Sequence, residues 1–433
     1  MPWAHHQLER DQHLPCDWPH NEGMNASRSK TTQAVEYGLH TPQIDQITPL
    51  LGGISPVTFM RRYWQKKPLL IRQAMPGVQP PIERSKLFAL AESDEVESRL
   101  IVQSSGLAEG VKTKGGKAKS KVAEPGWRLS HGPLNRRSLP ALSQPGWTLL
   151  VQGLDLHVPA AYEMLKQFRF VPDARLDDLM ISYATDGGGV GPHYDSYDVF
   201  LLQVHGRRRW RIGPLNDASL QPDVPLKILS NFEPEQEWVL EPGDMLYLPP
   251  KWAHDGIAQG ECMTCSIGFR VPEETELARE VLVRLVEALE PTGQPQLYKD
   301  PGQPATATPG LVPEALQDFA AKAVFKALKD PAALRSALGE VLTEPKPRVW
   351  FQAGEPLPPG VGARLDPRTR MVYDDKRVFA NGESWLTGGK DARQLRLLAD
   401  QRRLPVEELA KASPALRDLL EQWAEDGWLH PDS

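Results

Sequence analysis

Gly187-Gly188-Gly189-Val190-Gly191-Pro192-His193-Tyr194-Asp195 is the stretch whose reading decides the fold. Four glycines and a proline lead straight into His-x-Asp. The residues that follow, Tyr197 to Val204 (YDVFLLQV), are rich in β-branched and aromatic side chains and read as a strand. Residues two apart on a strand point to one face. The imidazole of His193 and the carboxylate of Asp195 therefore reach a common point. One nitrogen and one oxygen donor there make two-thirds of a 2-His-1-carboxylate triad, which holds non-heme Fe(II) with coordination positions left open.

A third ligand is expected from a neighbouring strand or its end. In EPGDMLYLPPKWAHDG, a strand from Asp244 to Leu248 runs into Pro249-Pro250, which stops sheet pairing, and His254 follows on a constrained loop. Ser266 lies on the strand after it. His205 competes, but beside Gly206 it reads as part of a hairpin turn. Three protein ligands leave room on a six-coordinate iron for a bidentate 2-oxo acid and O2, and the far carboxylate of such a co-substrate needs a cation. In Arg207-Arg208-Arg209-Trp210-Arg211-Ile212 a period of two sets Arg208 on the face of Trp210 and Ile212, the buried one. A buried guanidinium is costly unless paired, and its planar fork suits a carboxylate. In DLMISYAT, Ser182 shares a face with Met180 and Ala184, where its hydroxyl can add a hydrogen bond to the same carboxylate. Cys262 and Cys265 are three apart, on opposite strand faces, and read as packing residues; Asp198 faces away from Asp195.

The frame around these residues is that of a multidomain chain. At 433 residues it exceeds the roughly 100–200 residues of one domain. No run of ~18 apolar residues offers a membrane span, and the opening residues lack the apolar core of a secretory signal. Three cysteines build no disulfide framework, so a reducing cytoplasm is the expected setting. A net charge of -6 leaves nucleic-acid contact to local patches only. Residues 1–40, with His5, His6, His13, Cys16 and His20, match no zinc spacing and read as a disordered tail; Met24 within it is a second possible start. Residues 41–275 carry many short strands with Gly and Pro punctuation, the pattern of a barrel or jelly roll. A Lys-rich insertion at 104–124 interrupts them and reads as a solvated loop before an RNA contact. Residues 276–345 show helical spacing, and 346–433 combine short strands with helices in the manner of a winged helix.

GGGVGPHYDSYDVFLLQVHGRRRWRIG, EPGDMLYLPPKWAHDGIA and SIGFR together resemble the JmjC-type 2-oxoglutarate oxygenases, above all their bacterial ribosomal oxygenase branch. The resemblance implies a double-stranded β-helix (a cupin-like jelly roll), then a helical dimerisation segment and a winged-helix-like module. It implies Fe(II) ligation by His193, Asp195 and His254. Arg208 would hold the 2-oxoglutarate carboxylate, supported by Ser182. It implies hydroxylation at the β-carbon of an arginine in a large-subunit ribosomal protein, the sixteenth of that set, by a homodimer. A guanidinium substrate wants a polar collar: Asp186 is one candidate, equally readable as a turn residue of the glycine loop, and Ser266 is a second. The alternatives are the same chemistry on a histidine or an N-methyl-lysine, or a non-catalytic jelly roll whose C-terminal module binds nucleic acid.

Overall fold

The computed structural model describes residues 43–104, 126–289 and 296–432. The expectations for the N-terminal tail and for most of the Lys-rich insertion lie outside these residues. The described chain opens with α1 (Pro56–Arg62), β1 (Leu69–Ile71) and α2 (Arg84–Leu90). Ser55 starts α1: its hydroxyl accepts the Thr58 N–H at 3.2 Å, and Pro56 takes the first helical position, where no N–H is needed. Then come β2 (Ser98–Ser104), β3 (Gly126–His131), β4 (Trp147–Val151) and α3 (Pro159–Lys166). The barrel strands follow: β5 (Leu176–Ala184), β6 (His193–Tyr194), β7 (Val199–Pro214), β8 (Gln236–Leu240), β9 (Met245–Leu248) and β10 (Trp252–Phe269).

β7 and β10 pair antiparallel along almost their whole length, from Val199↔Gly268 to Pro214↔Trp252. A bulge falls where Gln259↔Arg207 gives way to Met263↔His205. It marks the corner of the barrel. On one side the pair is flanked by β9, β1 and by β5, β4, β2 and β3; on the other it is flanked by β8 and β6. The two halves form the two facing sheets of a jelly roll, closed at the corner and open at the far ends of β7 and β10. Sequence reading split YDVFLLQV from RRRWRIG at a hairpin turn. The structure joins them, because Gly206, at φ +61°, bends the strand without reversing it. A side chain there would meet the Glu261 carbonyl, so the close crossing requires glycine. The same holds for β10: His254, expected on a loop, lies within the strand that also carries Ser266.

The face of the larger sheet turned away from the barrel packs Phe200, Leu202, Tyr247, Cys265 and Ile267 against Phe59, Leu87, Phe88 and Met164 of the three helices. Between the sheets lies a smaller apolar cluster that includes Leu201, Trp210, Ile212, Leu240 and Leu246. Cys262 and Cys265 fall into different clusters, as opposite strand faces demand.

Beyond the barrel run α4 (Glu274–Glu287), α5 (Glu314–Leu328) and α6 (Pro331–Thr343). The C-terminal module has β11 (Gly362–Leu365), β12 (Met371–Tyr373), β13 (Arg377–Ala380), β14 (Glu383–Leu386), α7 (Gly389–Gln401), β15 (Arg403–Leu404), α8 (Val406–Leu409), α9 (Pro414–Glu425) and β16 (Leu429–Asp432). Its helices and two three-stranded sheets close over Leu395, Leu398, Leu420 and Trp423, a winged-helix arrangement. α6, grouped by its periodicity with the preceding helices, packs both on α4 and on this module, with Gly339 beneath the Phe379 ring.

Candidate active site

The open end of the barrel brings His193, Asp195 and His254 together. His193 pairs with His254 across β6 and β10, their ring centroids 4.2 Å apart. His254 Nε2 lies 3.6 Å from Asp195 Oδ2. One donor atom from each of the three residues lies within 4.8 Å of the other two, a spacing that fits one metal ion. Each ring is oriented by its own backbone. The His193 Nδ1–H donates to the Gly191 carbonyl at 2.8 Å, and the His254 Nδ1–H donates to the Trp252 carbonyl at 2.9 Å. A carbonyl only accepts, so Nδ1 carries the proton and Nε2 keeps its lone pair for a ligand. Burial, and then the neighbouring His193, pull His254 down to about 4, so it is neutral and ligand-ready at pH 7.

The glycines of the 187–195 stretch serve this geometry. A Cβ on Gly189 would come within 2.5 Å of the Gly256 carbonyl, and one on Gly188 within 2.5 Å of the Trp147 carbonyl. The loop lies that close because it continues the sheet: Gly187 N–H donates to Ala258 O and Ala258 N–H to Gly188 O, each at 2.9 Å. The chain thus arrives at His193 in register with His254.

Arg208 sits near the closed end, paired with Ala258 and Leu240 and only 3% exposed. Its strand alternates as read, with Trp210 and Ile212 buried beside it. Its Nε and one Nη find no hydrogen-bond partner among the described residues, and the Trp210 ring lies 5.7 Å from the guanidinium carbon. A buried guanidinium left unpaired is expensive, which marks it as shaped for an anion. Ser182, also buried, lies across the barrel at the same distance from the corner, where its hydroxyl donates to the Thr264 carbonyl at 3.3 Å.

Of the two substrate candidates, only Ser266 is near the open end, half-buried and opposite Met180 and Leu201. Asp186 is exposed, and its Oδ1 accepts the Gly260 N–H at 2.7 Å. Gly260 lies six positions past His254, on the order of 20 Å along the strand. The carboxylate is therefore a brace at the closed end, away from the metal-ligand cluster. Asp198 points away as expected; the Tyr247 hydroxyl donates to it at 2.6 Å.

Asp178 is the residue that sequence reading passed over. It pairs with Gly268, six positions past Cys262, and so lies at the level of His254 on the opposite sheet. It shares a strand face with Met180 and Ser182, so the same alternation that singled out Ser182 contained it. Its Oδ2 accepts the Gly153 N–H and the Gln152 amide, each at 2.8 Å. Burial holds its pKa above the usual carboxylate value, and the nearby Lys346 ammonium offsets part of that rise.

Residues 163–277 match the family model of the JmjC domain, and residues 326–430 match that of a ROXA-like winged helix. The chain is 34% identical over 343 residues to ribosomal protein uL16 3-hydroxylase of Escherichia coli (strain K12), covering 75% of this chain and 84% of that one. The chain belongs to the JmjC ribosomal oxygenases. A probable ribosomal oxygenase of Haemophilus influenzae is 37% identical over 227 residues, 52% of each chain. Among solved structures, the E. coli ribosomal oxygenase YcfD in complex with cobalt and 2-oxoglutarate superposes with a TM-score of 0.71 at 29% identity, over 90% of this chain and 99% of that one.

Proposed function

We propose that this chain is an Fe(II)- and 2-oxoglutarate-dependent hydroxylase acting on the β-carbon of an arginine in ribosomal protein uL16. The observation that carries it is a pairing within one barrel: a three-donor cluster at the open end and an unpartnered, buried Arg208 guanidinium at the closed end. Kinship with a uL16 3-hydroxylase supplies the substrate. Iron with 2-oxoglutarate and O2 supplies the oxidising power to hydroxylate an unactivated C–H bond, leaving succinate and CO2.

The protein's own part is binding and register. His193, Asp195 and His254 would hold the metal, three protein ligands that leave coordination positions for the co-substrate and O2. Arg208 takes the far carboxylate of the co-substrate, and Ser182 exchanges the Thr264 carbonyl for the same group. At the mouth, Asp178 offers a carboxylate to the substrate guanidinium, with Met180 and Ser266 beside it. Placing the C–H bond against the metal is then a matter of how far the arginine side chain reaches between these two ends.

Exposed Val283 and Val286 on α4, with Leu289 after it, and Val324 and Phe325 on α5 form apolar surface that a second copy would cover, which supports a homodimer. No helix among the described residues is long and apolar enough to cross a membrane, and a ribosomal substrate supports a cytoplasmic setting. Intact-mass analysis of ribosomal proteins treated with enzyme, Fe(II) and 2-oxoglutarate tests the reading. The expected result is one added oxygen on uL16, mapped to an arginine. An oxygen on a histidine, or loss of a methyl from lysine, would replace it.

A further inference from the structure

The linker between α6 and β11 reaches back to the barrel mouth. Lys346 Nζ lies 2.8 Å from Asp177 Oδ1 and 3.6 Å from Asp178 Oδ2. The linker residues Lys346, Val349 and Trp350 form one wall of a cavity of ≈ 480 Å³, whose other wall includes Gln152, Asp177 and Asp178 of the barrel. Oδ2 of Asp178 is fully engaged, by Gly153 N–H, the Gln152 amide and the Lys346 ammonium. No described residue donates to Oδ1, which lies on the Gly268 side, towards the barrel interior.

We propose that Lys346 is a positioning residue for substrate recognition: it holds the outer oxygen of Asp178 so that the inner oxygen is presented, ionised, to the cationic side chain entering the mouth. The inference rests on reading the substrate as an arginine. Asp178 is 2% exposed, and a carboxylate so buried favours its neutral form unless a cation stands by. The surroundings supply few. Asp155, buried beneath the start of β5, and Asp177 on β5 are both acids. Arg270, at the end of β10, is committed to Asp177 at 3.2 Å. Glu95, Glu97, His157, Arg348 and Arg368 line the cavity farther out. Arg99 and Tyr197 lie on the mouth side. Lys346 is thus the one cation among the described residues in ion-pair contact with Asp178, and it arrives from the chain segment that leads into the winged-helix module.

The test is anaerobic binding of a fluorescein-labelled peptide carrying the target arginine to the enzyme loaded with Fe(II) and 2-oxoglutarate. Lys346→Gln should weaken Kd about tenfold at pH 7, in step with the fall in the ionised fraction of Asp178 once its cation is gone. At pH 9 the gap should close to within about twofold, because Asp178 then ionises unaided while arginine stays charged. Lys346→Arg should keep wild-type affinity within about threefold. The pH response should persist when Asp155→Asn is added, which assigns it to Asp178. A loss of equal size at every pH, no loss at all, or a pH response that disappears with Asp155 would overturn the proposal. If the wild-type enzyme fails to bind or hydroxylate the arginine peptide, the functional reading falls instead.

Discussion

Replacing Arg208 with methionine should weaken the enzyme and stabilise its fold at once. The guanidinium is 3% exposed, with Nε and one Nη unsatisfied. Without an anion the site therefore carries an uncompensated buried charge. Substituting an apolar side chain of similar length removes that cost, and comparable replacements gain about 1–2 kcal/mol. For a catalytic domain of this size that is a rise of a few degrees in melting temperature. With 2-oxoglutarate the sign reverses. Loss of a charge-assisted, buried pair costs about 3–4 kcal/mol, or a roughly 100- to 1,000-fold weaker Kd. Calorimetric titration of 2-oxoglutarate with Mn(II) in place of Fe(II) measures the second effect; thermal melts in chelator, with and without 2-oxoglutarate, measure the first. An Arg208→Met protein that binds 2-oxoglutarate within threefold of wild type, or that melts lower than wild type in chelator, refutes the assignment.

Two further outcomes follow from the same structure. Gly189→Ala places a Cβ 2.5 Å from the Gly256 carbonyl, a backbone atom that no rotamer change can move; it should cost about 1–3 kcal/mol in a melt and weaken Fe(II) binding through displacement of the His193 loop. Asp155 is raised from 3.8 to about 7 by burial and by the charge of Asp178. It binds its proton more tightly folded than unfolded, so its contribution to stability is present below pH ~4 and is lost as pH rises towards ~7. Asp155→Asn, which still accepts the Leu179 N–H, should therefore match wild type near pH 4 and exceed it at pH 8 by up to roughly 4 kcal/mol in urea unfolding; equal stability at both pH values would count against it.

Much of the site was legible because strand periodicity is a local property. The inward Arg208 and the inward Ser182 each needed only a period of two; Asp195 lies one residue past the end of β6 and meets His193 through closeness along the chain. The errors came where local signals meet long-range geometry. Asp186 sits next to the glycine run in sequence, but the run continues the sheet towards the closed end, so that proximity along the chain became separation in space. His205-Gly206 looked like a hairpin turn because glycine punctuates turns; only the partner strand, with its extra residues at 260–262, makes it a bend within a continuous ladder. Lys346 gave no sign at all, because a lysine among prolines in a linker reads as solvated until the buried acid it faces is known.

The sequence by itself determined the donor types and their spacing: His193 two residues from Asp195, Arg208 among buried neighbours, and a chain of strands followed by helices. These follow from side-chain chemistry and from backbone periodicity, which act over a few residues. Tertiary structure alone decided which end of the barrel each residue occupies. It set His254 against His193 and Asp178 opposite both, sent Asp186 to the far end and brought Lys346 back from the linker. Those placements depend on strand register and the bulged corner of β7 and β10. Register is fixed by burying one face of every strand at the same time, and no single stretch of sequence contains that sum.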